Sequence, residues 1–98
     1  MGTHKFLVHN SIDDVGVAIK KIEANEDVMG FDLHSGEETW VKATHDISLG
    51  HKIALKAIKN GCDVTKYAEN IGKATEDIKV GDWVHTHNLK TARWNYGK

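Results

Sequence analysis

The reading of the fold turns on Ala74-Thr75-Glu76-Asp77-Ile78-Lys79-Val80-Gly81-Asp82-Trp83-Val84-His85-Thr86-His87-Asn88. Its first eleven residues align without gaps to two stretches upstream. One is Ala18-Ile19-Lys20-Lys21-Ile22-Glu23-Ala24-Asn25-Glu26-Asp27-Val28; the other is Ala54-Leu55-Lys56-Ala57-Ile58-Lys59-Asn60-Gly61-Cys62-Asp63-Val64. All three follow Ala-x-x-x-Ile-x-x-(Gly/Asn)-x-x-Val. Asn25, Gly61 and Gly81 tolerate the positive φ that tight turns need. The Ile and Val around them favour strands. Each copy therefore reads as strand end, turn and strand start. The copies begin at residues 18, 54 and 74, spacings of 36 and 20. A solenoid would keep one period, so the pattern predicts a single compact β domain with repeated corners.

The end of the stretch carries chemistry. In an extended strand side chains alternate faces, which puts His85 and His87 on one side, beside Asn88. Imidazole moves protons and binds metals near neutral pH. A surface pair with no role is the plainer reading, because a metal site normally takes three or four ligands.

Composition narrows the classes. The 98 residues suit one domain, and 13 basic against 14 acidic side chains give a net charge of −1. That balance offers no strong field for nucleic acid or an anionic membrane. Cys62 is the one cysteine, so no internal disulfide forms and a reducing, cytoplasmic setting is expected. No apolar run approaches the ~18 residues of a membrane span, and the start has no signal-peptide core. Proline is absent, so nine glycines with Asn and Asp must make the turns. Seven histidines are many for this length.

In chain order, residues 5–9 read as an opening strand, followed by a polar loop with Ser11 or Asp13 as turn makers. Residues 15–22 alternate and then bend, with a short helical turn allowed. Residues 28–33 and 39–43 read as hairpin partners joined by His34-Ser35-Gly36-Glu37-Glu38. Residues 51–58 alternate, 63–67 read as another strand, and 83–88 as the last. Asp14, Asp46 and Asp77 read as turn residues rather than catalysts.

Three groups of residues then carry a resemblance: Gly50-His51-Lys52-Ile53-Ala54-Leu55; Val64-x-Lys66-Tyr67 leading to Ile71-Gly72-x-Ala74; and Val84-His85-x-His87-Asn88. With His9 and Asp13-Asp14-Val15-Gly16-Val17-Ala18, they resemble the SAF-type β-clip domain of the altronate/galactarate dehydratase family. Ala68 stands where that family usually has Gly. The resemblance implies a mainly β, SAF-like β-clip of short bent strands with one or two short helical turns. It would span residues 5–89, ahead of a basic aromatic tail at 90–98. Through Asn88-Leu89-Lys90-Thr91-Ala92-Arg93-Trp94 the chain is most similar to the family's separate small subunits that serve sulfolactate sulfo-lyases.

The resemblance implies β-elimination on a hydroxy acid, a small hydroxy-acid substrate, a larger catalytic subunit as partner, and iron in the assembled enzyme. The substrate is either sulfolactate or a sugar acid. Such a reaction needs acid/base groups and cations. His51, His85 and His87 are the candidate catalytic residues. Lys52, Lys66, Tyr67 and Asn88 are the candidate substrate contacts. His9, His85 and His87 are the candidate metal ligands. Solvated lysines, core-edge aromatics and a turn-capping Asn88 are the plainer alternatives. Two other classes stay open, a non-catalytic docking module and a free-standing binder of a small ligand or metal. About 98 residues leave little room for a complete pocket, so the isolated chain is expected to be inactive.

Overall fold

The computed structural model describes residues 4–91. Nine strands make up its regular structure: β1 Phe6–Val8, β2 Val15–Ala18, β3 Asp27–Asp32, β4 Glu38–Lys42, β5 Lys52–Ala54, β6 Asp63–Lys66, β7 Glu69–Ala74, β8 Trp83–Val84 and β9 Leu89–Thr91. Six form one sheet in the order β4-β3-β1-β2-β5-β8; β6, β7 and β9 form a second in the order β6-β7-β9. All pairings are antiparallel except β1 with β3. The domain is mainly β, as expected. No helix occurs among the described residues, so the allowed helical turns are replaced by β bends. No helix there is long and apolar enough to cross a membrane.

The corners are four, not three. Ala43-Thr44-His45-Asp46-Ile47-Ser48-Leu49-Gly50-His51-Lys52-Ile53 is a further copy, with Ile in place of the final Val. Its turn residue Gly50 has φ +86, beside +71 at Asn25, +90 at Gly61 and +93 at Gly81. The corners pair in twos rather than folding into separate hairpins. Ile22 and Ile47 exchange two backbone hydrogen bonds of 2.9 Å, and Ile58 and Ile78 exchange two of 2.9 and 2.7 Å. Each turn residue donates its N–H to the first alanine of the partner corner: Asn25 to Ala43, Gly50 to Ala18, Gly61 to Ala74, Gly81 to Ala54. Asp46 accepts the Ala24 N–H at 2.8 Å, and Asp77 accepts the Asn60 N–H at 2.9 Å. These two carboxylates do the same job in the two pairs, which is the turn role read for them.

This pairing divides the core. Ala18, Ile22 and Val28 join Ala43, Ile47 and Ile53 around Phe6 in one cluster. Ala54, Ile58 and Val64 join Ala74, Ile78 and Val84 around Val15 and Leu89 in a second. Each fully buried Ile contributes about 1.5–3 kcal/mol, so the corner isoleucines are a substantial part of what holds the fold. Gly30 is required by the first cluster, since a Cβ there would run into the Phe6 ring.

Two strands are shorter than their alternation predicts. The run at 51–58 yields only Lys52–Ala54, because Ala54 already begins the third corner. The run at 83–88 yields only Trp83–Val84, because the Asn88 side chain folds residues 85–88 into a turn. β9 carries regular structure to Thr91, into the segment read as tail. The Arg93, Trp94 and Tyr96 part of that tail lies outside the described residues, as do residues 1–3.

Candidate functional site

Cross-strand register builds a cleft first. Leu7 faces Val17, and Val17 faces Lys52, so the three share one face of the sheet. His9 follows β1, Gly50 precedes β5, and Lys66 and Tyr67 come from the end of β6. Together with Ile19 they line a cleft of ≈ 270 Å³. The His9 and Tyr67 ring centroids are 4.3 Å apart, and Lys66 Nζ lies 3.8 Å from the Tyr67 ring centroid. Burial, and then the nearby Lys66 ammonium, hold Lys52 below the usual lysine pKa. Two ammonium groups on one small cleft favour an anionic occupant.

The cleft depends on a residue that the sequence offered only as a turn maker. Asp13 is buried, and its carboxylate accepts the N–H groups of Ala68 at 2.8 Å, Tyr67 at 3.0 Å and Asn10 at 3.2 Å. Its neighbour Asp14 accepts the Thr65 N–H at 2.8 Å. Together they staple the β6–β7 turn to the loop after β1. Tyr67 and Ala68 both have positive φ, +56 and +61, which places Tyr67 over His9. The adjacent Asp13-Asp14 pair in the opening motif was the available signal.

The second assembly is an imidazole cluster around a half-buried indole. The Trp83 ring centroid lies 5.8 Å from His51, 5.5 Å from His85 and 4.7 Å from His87. His51 and His85 stack at 4.4 Å with 17° between their planes. Trp83 Nε1–H donates to His51 Nδ1 at 3.0 Å. His85 and His87 therefore meet through a turn and a shared indole, not through strand alternation. Partial burial, then His51, Lys52 and His87, hold His85 below the usual histidine pKa. That Lys52 acts on His85 and Lys66 acts on Lys52 shows how closely the cluster adjoins the cleft.

Asn88 lies beneath this surface. It is buried; its Oδ1 accepts the His85 N–H and its Nδ2 donates to the Trp83 carbonyl, both at 2.9 Å. Its amide is thus committed to shaping the turn that carries the histidines. Trp83 packs on the first core while touching all three histidines, so its core-edge reading misses half of its role.

The metal-ligand candidates separate. His9 lies in the cleft, and His85 and His87 lie around Trp83. Among the described residues no three His, Cys, Asp or Glu side chains are grouped to hold a metal ion. Near-parallel stacking also keeps the in-plane lone pairs of His51 and His85 from converging on one point. The donor set of the described residues does not by itself fit an iron centre.

Comparison with known proteins agrees with this architecture. A family model described as altronate/galactarate dehydratase SAF domain matches residues 4–92. The (2R)-sulfolactate sulfo-lyase subunit alpha of Paracoccus pantotrophus is 60% identical over 52 residues, 53% of this chain and 78% of that protein. Its namesake from Chromohalobacter salexigens is 33% identical over 90 residues, 91% of this chain and 96% of that protein. The altronate dehydratase of Bacillus subtilis is 34% identical over 86 residues, 88% of this chain but 16% of that protein. With residues 4–92 of its 98 matched by that family model, the chain belongs to the altronate/galactarate dehydratase SAF domain family.

Proposed function

We propose that this chain is the small subunit of a lyase that converts (2R)-3-sulfolactate to pyruvate and sulfite, with a larger subunit completing the active site. The observation that carries this reading is the end-to-end match to a protein named as a sulfo-lyase subunit alpha, over 91% of this chain and 96% of that one. A separate subunit implies a partner, and a cleft of ≈ 270 Å³ is small for a complete enzyme site.

The chemistry suits the groups present. Sulfolactate carries a carboxylate and a sulfonate. A base takes the proton on the carbon α to the carboxylate, and that electron pair becomes the Cα–Cβ double bond. The Cβ–S bond breaks and its pair leaves with sulfite. The resulting enol takes up a proton at Cβ, gives up its hydroxyl proton and becomes pyruvate. Lys52 and Lys66 are placed to hold an anionic end, with Tyr67 and His9 closing the cleft. His85 and His87 are the chain's candidates for proton handling at the adjoining surface, and His51, stacked on His85, is a candidate for contact with the reacting anion. Iron in the assembled enzyme would take most of its ligands from the larger subunit, since the described residues offer no complete set.

A sugar-acid dehydratase is the second reading. It is favoured by the 34% identity to an altronate dehydratase over 88% of this chain. The two are separated by giving the co-purified subunits sulfolactate and altronate in parallel. Sulfite from the first supports the sulfo-lyase; water loss from the second alone supports the dehydratase. Activity of the larger subunit that is unchanged without this chain would make the chain a docking module.

A further inference from the structure

Trp83 makes a contact that fixes the chemistry of His51. An indole N–H can only donate, and it donates to His51 Nδ1 at 3.0 Å. A ring nitrogen accepts only through a lone pair, so the neutral His51 ring carries its hydrogen on Nε2. His51 is half-buried rather than buried, so its ring is not enclosed by the core. Stacking on Trp83 and His85 holds the ring in this pose. His51 also immediately precedes Lys52, which lines the anion-favouring cleft.

We propose that Trp83 is a positioning residue that fixes His51 as an Nε2–H donor to a carboxylate or sulfonate oxygen of the substrate. In that tautomer the free lone pair of His51 is already engaged by the indole. The ring cannot take the α proton, or bind a metal through Nε2, without surrendering the Trp83 bond. His51 thus stabilises charge, and base duty falls to another group. The inference deepens the lyase reading and depends on it only for the identity of the anion.

The test is nuclear magnetic resonance on the uniformly 15N-labelled full chain at mildly alkaline pH. The expected result is a through-hydrogen-bond coupling between Trp83 Nε1 and His51 Nδ1, with the ring hydrogen on Nε2. No coupling, or hydrogen on Nδ1, overturns the proposal. Trp83→Phe keeps the ring but removes the donor, and should release His51 into a mixture of tautomers; an unchanged Nε2–H population in a folded variant also overturns it. In the assembled enzyme, His51→Gln keeps an N–H donor and should retain at least about tenfold more activity than His51→Leu. Equal losses would refute the donor role. The coupling needs no substrate, so it decides the Trp83–His51 lock even where sulfolactate is left unconverted.

Discussion

The carboxylate of Asp13 accepts the backbone N–H of Ala68 at 2.8 Å, across 55 positions of sequence. Two more backbone N–H groups converge on the same buried carboxylate. Asp13→Ala would leave these donors without their charged acceptor. Charged hydrogen bonds contribute about 1.5–3 kcal/mol each, so a loss of at least about 3 kcal/mol is expected in urea unfolding. Asp46→Ala, which removes one exposed turn bond, should cost about 1 kcal/mol.

Ala68 sits in the same turn at φ +61 without being glycine. Its side chain is exposed, so little packing is lost by removing it. Ala68→Gly should therefore stabilise the domain by about 0.5–1 kcal/mol, the left-handed strain outweighing the added chain entropy. A thermal melt that falls would show that Ala68 makes a contact worth more than the strain.

Lys52 is held below the usual lysine pKa by burial and then by Lys66. At neutral pH its charge is thus less welcome in the fold than in the unfolded chain. Lys52→Met should raise the melting temperature, as read by a thermal melt at neutral pH. The same change should weaken binding of the proposed sulfolactate substrate about tenfold or more. Opposite signs for stability and binding would mark Lys52 as a functional rather than a structural cation.

His85 gives the domain a pH dependence of known sign. Its folded pKa lies below the ordinary histidine value of 6.5. The unfolded chain therefore binds this proton first as pH falls. The stability contribution is complete above pH 6.5 and is lost on acidification through the folded pKa. His85→Gln should flatten the stability–pH curve below pH 6.5, as read by chemical denaturation at several pH values.

The β class was legible because Ile and Val flank turn residues at a repeated spacing. The fourth corner escaped because Ile53 replaces Val and because Ser48-Leu49-Gly50 reads locally as an isolated turn. Pairing escaped for a deeper reason. Ile22 meets Ile47 and Ile58 meets Ile78 across 25 and 20 positions, and nothing local specifies such partners. His85 and His87 were nameable from spacing and His51 from the family resemblance, but the agent joining them was not. Trp83 reads as an ordinary core-edge aromatic until its indole nitrogen is seen on His51. Asn88 illustrates the converse: beside two histidines it suggests a substrate contact, while its amide is spent on two backbone groups.

The most direct measurement is sulfite release from (2R)-3-sulfolactate by this chain reconstituted with the proposed larger subunit. The expected result is sulfite and pyruvate in equal amounts from the mixture, none from this chain alone, and a loss of about 100-fold or more when His85 or His87 is replaced by alanine, if that ring transfers the proton. Sulfite release by the larger subunit at the same rate without this chain, or variants that melt early yet keep full specific activity, would contradict the proposed reading.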